Sequence, residues 1–68
     1  MSFAEKQRLR GALAGAIERA NEASRELTRA REANDPARIR LAMTTYAAAE
    51  DGIKKIQRRL AELDHGVA

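Results

Sequence analysis

Five residues in the second half of this chain, Ile39, Tyr46, Ile53, Leu60 and Val67, recur at intervals of seven, and Ala42, Ala49, Ile56 and Leu63 follow the first four of them by three. A strand turns its side chains over at every residue and has no use for such a spacing. An α-helix, at 3.6 residues per turn, lays both series along one face. Apolar residues at these two heptad positions, a and d, need a facing helix to cover them. The repeat therefore commits the chain to packing helix on helix.

The facing helix has to come from the first half, and the stretch "EANDPARI" shows how the chain reverses. Pro36 is the only proline and lies close to the midpoint. Asp35 suits the N-cap of a following helix, Pro36 its first position, and Asn34 the left-handed conformation that ends a preceding one. Ser2 with Glu5 three residues later forms a capping-box pattern at the start, and Gly66 is a natural stop at the end. The reading is one α-hairpin domain over residues 1–68: a helix over about 3–33, a turn at 34–35 and a helix over about 36–65, each roughly 45 Å long.

In the first helix the matching frame places Lys6, Leu13, Ala20 and Leu27 at a, and Leu9, Ala16, Ala23 and Ala30 at d. A turn at Asn34 and Asp35 sets level those residues whose numbers sum to about 69, so that each a position of one helix meets a d position of the other. Ile39 then faces Ala30, Leu27 faces Ala42, Tyr46 faces Ala23, and Ile53 faces Ala16. Large against small lets the two helices interdigitate at close range.

Composition narrows the function more than it reveals it. With 68 residues and no cysteine, the chain has a small core and neither disulfides nor thiolate metal sites to supplement it. Thirteen Lys and Arg stand against ten Asp and Glu, interspersed, for a net charge of +3. The uncharged run "GALAGAI" is only seven residues long and is flanked by Glu5 and Glu18, so it is neither a signal peptide nor a span. The expectation is a soluble, cytoplasmic protein.

No residue pattern points to catalysis, a cofactor or a metal. His65, the only histidine, stands beside Gly66 where a helix end with its negative dipole favours such a residue. The carboxylates lie among arginines and lysines in the manner of a solvated helix face. The basic run "KKIQRR" is the best candidate for a polyanion patch: Lys54, Lys55, Arg58 and Arg59, brought level with Arg8 and Arg10 by the hairpin. Favourable pairs four residues apart, Glu50 with Lys54, Asp51 with Lys55 and Arg58 with Glu62, compete for those cations, and no aromatic is interleaved on which a base would stack.

Apolar surface in excess of the seam is the informative feature. Phe3, Ile17 and Met43 occupy e positions along one flank, Leu41 also lies outside the seam, and Gly11, Ala14 and Gly15 leave a bald patch on the first helix suited to a close helix contact. Phe3, Gly11, Gly15, Ile17, Leu41 and Met43 are thus the candidate interface. A single seam rich in alanine hardly offsets the ordering entropy of the chain, so a further surface has to cover that flank.

The plan resembles that of the plasmid copy-control hairpin family, which pairs two hairpins into an alanine-rich four-helix bundle that binds RNA; the likeness is one of architecture. The turn "NDPARI" before a heptad-bearing helix is similar to the needle subunits of type III secretion systems, and the chain length to that of their small helical co-chaperones, although the terminal signatures of needle subunits are missing. "EDGI" is similar to part of the small subunit of exonuclease VII, whose glycine-containing turn signature this chain lacks. None of these resemblances carries a site residue over. The expectation is an all-α, antiparallel two-helix hairpin, completed to a four-helix bundle by dimerisation or by a partner helix. Its function would be that of a non-enzymatic interaction module, an adaptor or a small chaperone. A nucleic-acid-binding hairpin dimer is the alternative, and an accessory subunit of an enzyme complex the second.

Overall fold

The computed structural model describes residues 2–65, with side chains from Phe3 onward. The Ser2 hydroxyl cap, the Gly66 stop and the last seam residue, Val67, lie outside what is described. Helix α1 runs Ser2–Glu32 and helix α2 runs Pro36–Asp64, packed against each other along their length as a hairpin.

The reversal is built from backbone hydrogen bonds that leave few groups unmet. Asn34 adopts a left-handed φ of 56°. Its N–H donates to the Arg31 carbonyl at 3.1 Å and that of Asp35 to the Ala30 carbonyl at 3.1 Å, the paired bonds of a Schellman ending. Asp35 then serves α2: it has an extended backbone, its Oδ1 accepts the Arg38 N–H at 3.3 Å, and Pro36 follows where no N–H is required. One residue closes α1 and caps α2, which is why the connection is so short. At the far end the His65 backbone N–H donates to the Ala61 carbonyl at 3.0 Å, while its side chain is exposed.

The seam lies where the heptads put it. Among the described residues Ala16, Ala20, Ala23, Ala30, Ala42 and Ala49 are the buried ones, all at a or d. Leu9, Leu13, Leu27, Ile39, Ile53, Ile56, Leu60 and Leu63 are half-buried, and Tyr46 is 37% exposed. Two cylinders in contact cover an alanine completely but leave the outer part of a leucine or isoleucine protruding past the seam, so burial here falls as side chains grow. Fully burying a Leu or Ile stabilises by about 1.5–3 kcal/mol; this hairpin gains only part of that at each layer. The Cα radius of gyration of 15.4 Å, against about 11 Å for a compact domain of this length, reflects a rod of 51 × 15 × 11 Å with one line of core.

Candidate association surfaces

The seam divides the rod into two flanks of different character. One is marked by the residues just before each a position, the g positions. There Arg59 Nε donates to Glu5 Oε2 at 2.9 Å, and Arg38 Nη2 donates to Glu26 Oε1 at 2.6 Å, two ion pairs that tie α1 to α2. Glu26 is gripped twice, its other oxygen accepting Arg29 Nη2 at 3.1 Å. Hydrogen bonds from Arg38 and then from Arg29 hold the Glu26 carboxyl below its ordinary pKa. With Lys6 Nζ and Asp64 Oδ1 2.9 Å apart, the cross-helix pairs join residues whose numbers sum to between 64 and 70, which brackets the register expected from the turn.

Between those two ion pairs the g flank opens into a shallow groove of about 300 Å³, floored by Ala23 and Ala42 and walled by Arg19, Leu41 and Thr45. Arg19 and Thr45 also line a smaller recess that continues past Ala48 and Gly52. This groove went unread in the sequence. Its signal was present, because c positions adjoin g positions on a helix, and Leu41 and Ala48 are c residues beside Thr45 and Gly52.

The other flank carries the e positions. Phe3 is 69%, Ile17 43% and Met43 52% exposed. By their heptad positions Ala14, Ala47 and Ala61 share this flank, with Arg10, Arg31, Arg40, Lys54 and Asp64. Glu50 is half-buried here, and hydrogen bonding to its carboxylate, followed by its charge, raises the Tyr46 phenol above its ordinary pKa.

The six candidate interface residues are therefore not one patch. Phe3, Ile17 and Met43 share the e flank, whereas Leu41, 67% exposed, belongs to the groove on the opposite flank. Gly11 is on the outer face of α1, where an added Cβ would meet nothing within 4 Å; at Gly15 the nearest atom would be Arg19 Nη1 at 3.6 Å. Neither glycine is required by the approach of α2.

The basic residues are also dispersed. Arg8 and Lys55 fall at c, Arg10 at e, Lys54 at b, Arg58 at f and Arg59 at g, which distributes them around the rod. Arg59 is bound by Glu5 and Glu62, and Lys55 by Asp51 at 3.1 Å. The pairs Glu50–Lys54 and Arg58–Glu62 do not form: Glu50 turns to Tyr46, and Arg59 takes Glu62 instead. Among the described residues no group of three or more His, Cys, Asp or Glu side chains is arranged to hold a metal, and no helix is long and apolar enough to cross a membrane. Comparison of the chain with protein-family models, with curated proteins and with solved structures finds no match.

Proposed function

We propose that this chain is a non-enzymatic association module of the cytoplasm, an adaptor or small chaperone in kind, whose hairpin acts by packing against a second helical hairpin of its own sequence to complete a four-helix bundle. One observation carries the reading: among the described residues the buried ones are all alanines, while Phe3, Ile17 and Met43 stay exposed along one flank. Full burial of such a side chain is worth about 1.5–3 kcal/mol, and the parts left in water forgo a share of that at each position. A facing pair of helices is the simplest cover for a two-helix layer. Nucleic-acid binding ranks below this, because Lys55 and Arg59 are engaged by carboxylates and, of the other four cations, only Arg10 and Lys54 share a flank.

The experiment is the double substitution Ile17→Glu with Met43→Glu. Both residues lie outside the a and d layers, so the seam is retained while carboxylates enter the face that a second hairpin would cover, at a cost of several kcal/mol per interface. The expected result is a dimer that becomes monomeric and loses helicity. A variant as helical and as associated as the parent contradicts the reading. A parent that is monomeric and poorly helical until a different protein is added transfers the flank to a heterologous partner.

A further inference from the structure

Resting on that reading, we infer that the second copy lies on the e flank about a two-fold axis perpendicular to the rod, with the two turns at opposite ends. The register of the seam sets this arrangement. Because the seam sets level those residues whose numbers sum to about 69, an axis at mid-height passes near Ile17 on α1 and near residue 52 on α2. It brings together α2 residues of the two copies whose numbers sum to about 104.

On the e flank that operation is self-complementary. Glu50 meets the partner's Lys54, and Arg40 meets the partner's Asp64, each twice by symmetry. Met43 meets the partner's Ala61, and Ile17 meets the partner's Ile17 across the axis, so apolar side chains face each other on both helices. Arg40 and Lys54 form no ion pair among the described residues, Asp64, though touched by Lys6, keeps a side chain 60% exposed, and Glu50, half-buried beside the Tyr46 hydroxyl, pairs with no cation of its own chain among them. Sliding the copies by seven residues in either direction loses every one of these ion pairs.

The alternatives fare worse on the same test. With the turns at the same end, α1 packs on the partner's α2, which sets Ile17 between the charged Glu50 and Lys54 of the partner subunit and Arg31 near the partner's Arg40. On the g flank, Glu5, Glu22 and Glu26 are already committed to arginines of their own chain, and Leu41 is the only large apolar side chain exposed there among the described residues. Charge complementarity of this kind selects partner and orientation more than it adds affinity.

The test uses the full chain and two charge variants. Glu50→Lys alone sets a lysine against the partner's Lys54, and Lys54→Glu alone sets a glutamate against the partner's Glu50. Each variant is expected to raise the dissociation constant of its own dimer by more than about tenfold. Mixed in equal amounts, the two are expected to regain dimerisation as one-to-one pairs, a recovery that repair of the intrahelical Glu50 and Lys54 spacing does not provide. Spin labels on Ala37→Cys give the orientation: about 45 Å apart with the turns at opposite ends, under about 25 Å with them together. A wild-type dimer with the short distance, or variants that dimerise like the wild type alone and gain nothing on mixing, overturns the inference and leaves self-association standing. A wild-type chain that does not self-associate overturns both.

Discussion

Asn34 and Asp35 carry the reversal of the chain, and each does so by a different physical means. Asn34 holds the left-handed conformation that most side chains enter only at a cost of about 1–2 kcal/mol, and Asp35 supplies the carboxylate that meets the open N–H of Arg38. Asn34→Ala and Asp35→Ala are each expected to lower stability by about 1 kcal/mol, Asn34→Gly to leave it level or higher, and Pro36→Ala to change it by less than about 1 kcal/mol. Urea melts at one fixed protein concentration check this; four indistinguishable curves would remove the cap from the account. These residues were legible in the sequence because their geometry is local and each side chain has one suitable place. The long charged side chains were not. Asp51 and Lys55 pair as their spacing suggests, but Arg59 rather than Arg58 takes Glu62, since exposed ion pairs differ by only a few tenths of a kcal/mol and spacing alone cannot choose between them.

Between the helices, the seam was readable because every layer repeats the same constraint, apolar at a and d, so that one misplaced residue does not shift the frame. The groove on the g flank was less so: it depends on where Arg19 and Thr45 lie across two helices, which a repeat in one helix does not encode. The cross-helix ion pairs give this level a pH dependence. Pairing with Arg38 and Arg29 lowers the Glu26 pKa from 4.5, so its contribution is complete above that value and is lost as the pH falls through the lower native one. Asp64, lowered by its hydrogen bond from Lys6, behaves in the same direction. Tyr46, raised by its hydrogen bond to Glu50, contributes below its ordinary value of 10.0 and loses that contribution as the pH rises through the native one. The urea midpoint is expected to fall between about pH 5 and pH 3, by less in Glu26→Gln and by less again at about 1 M salt, where charges are screened within about 3 Å. An equal fall in wild type and Glu26→Gln would show that the Glu26 pair contributes nothing.

At the scale of the whole molecule, the rod has one line of core, and the only fully covered side chains among the described residues are alanines. Ordering a residue costs roughly 1–2 kcal/mol in backbone entropy, and half-buried leucines on a single seam return little more than that. On the proposed function such a hairpin reaches its stability by association, and its folding is then linked to its concentration. Sedimentation equilibrium from about 1 to 100 µM, with helicity followed by circular dichroism on the same samples, tests this most directly. The expected mass is twice the 7.5 kDa of the chain at the upper end, with mass and helicity falling together on dilution. A chain that remains at 7.5 kDa and fully helical throughout would contradict it.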